Sequence, residues 1–359
     1  MTAPTEAKSL VRATRARESQ ARESQLRVPD FFIVGHPKCG TSALFEMLRR
    51  HPEIYMPDVK ETWFFAPELR RTRPGEREHA VQPQPAERAE PVERAPLADT
   101  NRSLQQYLSL FADARPDQRI GEATPSYLRS HAAAQRIASV APQARIVALL
   151  REPASFLRSL HLQFVQTRVE TETDLRKALA LERDRRQGKR MPAHSAQQRD
   201  LIYSDIIRYV GQLERYYAAF PPEQVLVLVY EDFRADNQAT VRAVLRHLGV
   251  SETVRIDAVE ANQSVRVRSR RAHELMHSIS VGRGPASRTA KAGVKLFTSR
   301  RLRRQALRVA RRKVAFTEPD PADEELMIEL RRRFKSEVFA ASEYLGRDLV
   351  SLWGYDGIE

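Results

Sequence analysis

The chain predicts a three-layer α/β/α fold around a central parallel sheet of about four to five strands. Three observations carry that expectation. Phe31–Val34, RIVALL at 145–150 and VLVLVY at 225–230 are short, almost wholly apolar runs, the mark of strands buried on both faces. Amphipathic stretches with helical spacing lie between them, as crossover connections require. Finally, Lys38, Glu122 and Arg151 each fall at or just after a strand end, where ligands gather in such sheets.

In chain order, residues 1–29 are polar, repeat ARESQ, and are expected to form a frayed, disordered tail. Residues 30–359 are expected to form one domain. After the strand at 31–34, Gly35, Pro37 and Gly40 shape a tight loop, and Thr41 opens a helix through Leu44, Met47 and Leu48. Ile54-Tyr55 and Lys60-Glu61-Thr62-Trp63-Phe64-Phe65 follow. Residues 67–100 are rich in Pro, Glu and Arg and poor in large apolar side chains, a composition suited to a mobile insertion. A helix is expected over 104–111, and Glu122 sits at a strand end within 119–128. Arg145–Leu150 leads into Arg151 and a helix from Pro153, with Phe156, Leu160 and Phe164 four apart. Ile206, Val210, Leu213, Tyr217 and Phe220 predict one further helix. Asp236 is placed to cap another, which ends at Gly249. Asp320-Pro321 predicts the start of a last helix, lined by Leu326, Leu330, Phe334, Val338, Ala341 and Leu345 and closed by Gly346.

The stretch from Asp30 to Arg50 is the most informative. A strand, a glycine-bounded loop and a helix N-terminus make an anion site, because free backbone N–H groups and the helix dipole converge there. A Walker A loop has Lys directly after its second glycine. Here Thr41 takes that place, and Lys38 lies mid-loop between Gly35 and Gly40. That departure argues against an ordinary nucleoside triphosphatase.

Composition narrows the partners. Cys39 is the single cysteine, so neither a disulfide framework nor a cysteine-based zinc site forms within one chain, which suits a reducing compartment. The N-terminal stretch has no apolar signal core and no run approaches a membrane span, so a cytoplasmic protein is expected. The nine histidines lack metal-ligand spacing, and no metal is expected. Of the net charge of +14, twelve units come from the acid-free segment 283–313. Its basicity suits an anionic membrane surface touched peripherally, or an acidic acceptor such as a phosphorylated lipid or glycan. Nucleic acid ranks low, since no aromatic platform accompanies the charge.

Four stretches together resemble sulfotransferases that use 3′-phosphoadenosine 5′-phosphosulfate (PAPS), closest to bacterial members and the heparan-sulfate-type branch. HPKCGTSAL is similar to the family's 5′-phosphosulfate loop, and LREP with Ser159 eight residues after Arg151 is similar to its 3′-phosphate motif. KETWFF resembles the KE-x-x-FF segment that carries a glutamate base. YEDFRADNQATVRAVLRHLGV and RRRFKSEVFAASEYLGRDLVSLW look like bacterial members.

The resemblance implies that Lys38, Cys39, Gly40, Thr41 and Ser42 hold the 5′-phosphosulfate, Lys38 also neutralising charge on the leaving phosphate. Arg151 and Ser159 would grip the 3′-phosphate, with Arg268 closing over the nucleotide. Glu61 would take the acceptor's proton, assisted by Lys60, with its neighbours Trp63–Phe65 partly desolvating it. Glu122 is the rival base, though the heparan-type pattern has Lys where this chain has Ala123. His36 and His161 are expected to be local hydrogen bonders. The reaction implied is O-sulfonation of a carbohydrate, glycolipid or secondary-metabolite hydroxyl, with PAPS as co-substrate and no metal. Two rivals stand beside it: a P-loop kinase or NTPase using Glu231-Asp232 for a metal, and a non-catalytic basic adaptor for membranes or nucleic acid.

Overall fold

The computed structural model describes residues 26–69, 101–192, 198–257, 266–267, 316–317 and 321–359. Its strands and helices run β1 (Phe31–Gly35), α1 (Thr41–Leu48), β2 (Ile54–Tyr55), α2 (Asn101–Leu108), β3 (Arg119–Ala123), α3 (Ala133–Val140) and β4 (Arg145–Leu150). Then come α4 (Pro153–Thr167), α5 (Leu175–Ala180), α6 (Glu182–Arg186), α7 (Tyr203–Ile206), α8 (Tyr209–Tyr217), β5 (Val225–Val229), α9 (Tyr230–Ala235) and α10 (Asn237–Leu248). A short antiparallel pair, β6 (Arg266–Val267) with β7 (Phe316–Thr317), precedes α11 (Glu324–Leu345) and α12 (Leu349–Trp353). The expected N-terminal tail falls largely outside the described residues, and so do most of the 67–100 insertion and the whole 283–313 segment.

The chain divides into two compact units: Met1–Glu152 with Arg208–Ala261, and Pro153–Ile207 with Asn262–Glu359. The first contains a five-stranded, all-parallel sheet in the order β2-β3-β1-β4-β5. The apolar runs make its middle. Phe31, Phe32, Ile33 and Val34 are at most 1% exposed, and Ile146–Leu150 are fully buried. Burying each such side chain stabilises the fold by about 1.5–3 kcal/mol. With helices packed against this sheet, the predicted three-layer α/β class holds. Chain order reverses beside β1: β2 and β3 lie to one side of it, β4 and β5 to the other. In open parallel sheets such a switch point, at the C-terminal strand ends, is where a ligand crevice forms.

In the second unit, α4 buries Phe156, Leu160 and Phe164, and α11 buries Met327, Leu330, Phe334, Val338 and Ala341. Glu170, fully buried, accepts two hydrogen bonds from the guanidinium of Arg185, at 2.7 and 2.9 Å.

Three expected boundaries move. The helix expected through 206–220 is two helices, α7 and α8, broken at Ile207 and Arg208, whose backbones leave the helical region. Apolar spacing alone continued across that break. The last helix starts at Glu324 rather than at Asp320-Pro321, because the Asp323 carboxylate accepts the Leu326 N–H and caps it. The third strand ends at Val229, and Tyr230 already opens α9. Asp236 caps α10 through the Ala239 N–H, and Gly249 and Gly346 close their helices in left-handed conformation, as expected.

Gly35 sets the spacing of the two central strands where they end. Its φ is 143°, and a Cβ built on it would lie 2.5 Å from the Leu149 carbonyl oxygen. Gly35→Ala should therefore destabilise the first unit by about 1–3 kcal/mol, the usual cost of a forced backbone conformation, read as a lower midpoint in urea denaturation.

Candidate active site

The loop after β1 wraps the start of α1. Gly40 is the N-cap residue of α1, with φ 86°, and no side chain caps the helix. A Cβ on Gly40 would come within 2.8 Å of the Phe233 ring and 3.2 Å of Tyr230, so the aromatic pair on α9 packs on the loop where only glycine fits. Lys38 is also left-handed, with φ 69°. Such a conformation costs a non-glycine residue on the order of 1–3 kcal/mol and persists only where neighbours hold it.

One of those neighbours is Arg151, the first residue after β4. Its Nη1 donates to the Lys38 carbonyl at 2.8 Å, and its guanidinium lies 4.5 Å from the centre of the Tyr230 ring. The Arg151 carbonyl in turn accepts from Tyr209 Oη at 2.7 Å. The buried Arg151 Nε has no hydrogen-bond partner among the described residues. An unmatched buried donor is costly unless a ligand satisfies it.

Electrostatics point the same way. Burial, and then the Arg151 charge, bring the Lys38 ammonium down to about 8. Lys60 also falls to about 8, through burial, although Glu61 and Glu46 oppose the shift. Its Nζ donates to Ser42 Oγ at 2.7 Å, in the first turn of α1. Burial pushes the Cys39 thiol up to about 12, and its sulfur, fully buried, sits 3.8 Å from the Pro37 carbonyl. Cys39 is therefore a filler of the loop, not a nucleophile. Three cations at a helix N-terminus suit an anion with several charges.

The two candidate bases sit differently. Glu61 is exposed, in left-handed backbone with φ 61°, and its N–H donates to the Ala123 carbonyl at 3.0 Å. The expected desolvation by Trp63–Phe65 does not reach its side chain. Two of those rings pack into the core instead, Phe65 edge-on against Phe32, Tyr107 and Tyr127 and Phe64 stacked on Tyr107. Glu122 is fully buried in β3. Thr124 and Thr62 donate to its Oε1 at 2.5 and 2.9 Å, and Tyr107 to its Oε2 at 2.8 Å. Burial raises its pKa, and these hydroxyl donors oppose the rise.

Lys38, Cys39, Gly40, Thr41, Ser42, Lys60, Glu61, Glu122 and Arg151 thus all belong to the first unit. Ser159 is buried on α4 in the second unit. Arg268 lies outside the described residues. His36 is buried 5.3 Å from the Tyr209 ring; burial, with the Arg129 charge, holds it down at about 3 against a hydrogen bond with the Gln212 side chain, so it is a neutral local hydrogen bonder. His161 hydrogen-bonds Tyr203 and the Thr173 carbonyl. Sequence reasoning missed Thr62, Tyr107, Tyr127, Tyr209, Tyr230 and Phe233. Their aromatic and hydroxyl character looks like ordinary core until the sheet brings them to the loop.

The model of a family described as the sulfotransferase family matches residues 29–253, which takes in β1, both candidate bases and Arg151. The chain belongs to the sulfotransferase family. A solved sulfotransferase from Alicyclobacillus acidocaldarius is 30% identical to it, with a TM-score of 0.51, covering 66% of this chain and 87% of that one. The human bifunctional heparan sulfate N-deacetylase/N-sulfotransferase 3 is 24% identical over 229 residues, 62% of this chain and 22% of that protein. Mouse carbohydrate sulfotransferase 15 is 46% identical over 43 residues, 12% of this chain and 8% of that protein. The matched stretches thus span less than a quarter of either curated relative.

Anion binding by this loop should depend on pH. Lys38 carries its charge below about 8 and loses it above. Titrated with 3′,5′-adenosine bisphosphate (PAP), affinity should fall about tenfold between neutral and strongly alkaline pH, the worth of one charged hydrogen bond. Lys38→Arg stays charged throughout and should flatten that fall. Equal slopes for both proteins would remove Lys38 from the anion site.

Proposed function

We propose that this chain is a PAPS-dependent O-sulfotransferase that moves a sulfuryl group to the hydroxyl of a carbohydrate, glycolipid or secondary-metabolite acceptor. One observation carries the reading. Lys38 and Arg151 meet over an uncapped helix start, and Arg151 keeps a buried Nε without a partner among the described residues. A nucleotide phosphate satisfies that donor, and the Gly40 cradle leaves main-chain N–H groups to reach the same anion.

PAPS supplies the sulfuryl group in this chemistry. The loop N–H groups, Lys38 and Ser42 hold the 5′-phosphosulfate, and Arg151 grips the 3′-phosphate. Glu61, exposed and one residue from the Lys60 that touches Ser42, accepts the acceptor's proton as its oxygen bonds to sulfur. The electron pair of the broken S–O bond stays with the phosphate, where Lys38 neutralises it. Glu122 is a poor candidate for that proton: it has no exposed surface and three hydroxyls already donate to it. Relatives named for carbohydrate and heparan sulfate support a glycan acceptor. Ala123, where the heparan-type pattern has a cation, favours a less acidic one.

Release of PAP from PAPS, measured against a panel of glycans and aryl glycosides, tests the reading. Glu61→Gln should leave PAP affinity unchanged and lower transfer by about 100-fold or more, the range of a general base. Full activity in that variant would remove Glu61 as the base.

A further inference from the structure

The segment Glu61–Phe65 is held by a hydrogen-bond chain that runs in one direction. The Phe65 N–H donates to Tyr127 Oη at 3.2 Å. Tyr127 Oη and Thr62 Oγ1 are 3.1 Å apart, and Thr62 Oγ1 donates to Glu122 Oε1 at 2.9 Å. Each hydroxyl has a single proton. Thr62 spends its own on Glu122, so Tyr127 must donate to Thr62. The whole chain therefore ends on the Glu122 carboxylate, which when ionised can only accept. Thr124 and Tyr107 also donate to it.

The backbone on each side of Thr62 is unusual. Glu61 and Trp63 are both left-handed, with φ 61° and 59°, and neither is a glycine. Two such residues flanking one hydroxyl-anchored threonine are not a conformation the segment adopts for itself; something outside must impose it. The anchors are the Thr62 hydroxyl on Glu122 and the Glu61 N–H on the Ala123 carbonyl, and both belong to the end of β3. The left-handed turn at Glu61 leaves its side chain exposed while Thr62 turns inward.

We propose that Glu122 is a positioning residue: acting through the Thr62 hydroxyl, it imposes the left-handed backbone at Glu61 and Trp63 and so aims the Glu61 carboxylate at the acceptor. This deepens the reading of Glu61 as base and rests on it. It gives the two carboxylates separate tasks, one exposed and reactive, the other buried and fixed.

Thr62→Val keeps the shape and removes the hydroxyl, while Thr62→Ser keeps the hydroxyl. Glu122→Gln removes the terminal charge. Three readouts on the full chain separate the possibilities: PAP affinity by calorimetry, PAP release from PAPS with desulfated glycosaminoglycan as acceptor probe, and hydrogen exchange of the peptide spanning 60–66. Thr62→Val and Glu122→Gln should each retain PAP affinity, exchange faster at 60–66, and lose about 100-fold in turnover, the cost of a misplaced catalytic group. Thr62→Ser should restore both turnover and protection. Unchanged exchange and turnover in Thr62→Val, with Glu61→Gln inactive, would overturn the positioning role and leave the base. So would a loss in Thr62→Val that Thr62→Ser does not rescue, or one matched by an equal loss of PAP affinity, since both describe a general structural defect. An active Glu61→Gln would instead bring down the base reading itself.

Discussion

Arg151 donates to the Lys38 carbonyl across 2.8 Å, and through that bond the ends of the two central strands become one surface. The bond holds Lys38 in its left-handed turn, stacks the guanidinium on Tyr230 and fixes where both cations lie relative to α1. Everything that distinguishes the site from an ordinary strand-to-helix turn depends on it. Without Arg151 the loop keeps its glycines but loses the contact that orients the lysine.

Placing three half-buried cations at a helix N-terminus is unfavourable in itself. Burial opposes protonation of both lysines, the Arg151 charge adds to this at Lys38, and Glu61 and Glu46 partly offset it at Lys60. Lys38 and Lys60 respond by moving down to about 8. A multiply charged anion reverses these terms together. The fold thus stores unfavourable electrostatics that an anion at this loop would relieve. Across the site the β3 end does the opposite job, with Glu122 surrounded by donors and withdrawn from water.

Much of this was legible in the chain because its strongest signals are local. RIVALL, VLVLVY and FFIV can hardly be anything but buried strands, and the Gly35–Lys38–Gly40–Thr41 spacing separates the loop from a Walker lysine before any coordinates are known. The break at Ile207-Arg208 was not legible, since apolar spacing stays in phase across it. Neither was the contrast in burial between Glu61 and Glu122. Both residues are glutamates near strand ends, and only the threonine and tyrosine hydroxyls that reach Glu122 from residues 62, 107 and 124 tell them apart. Those partners are distant in sequence and carry no motif of their own.

If the loop and Arg151 act together, they read a nucleotide with phosphates on both its 3′ and 5′ sides. Calorimetric titration of PAP against ADP, each without Mg²⁺ and each repeated with Arg151→Ala, tests this directly. PAP should bind at least about tenfold more tightly than ADP, the worth of one charge-assisted contact, and Arg151→Ala should erase most of that margin. Equal affinity for PAP and ADP, or a preference for ATP that requires Mg²⁺, would contradict the account.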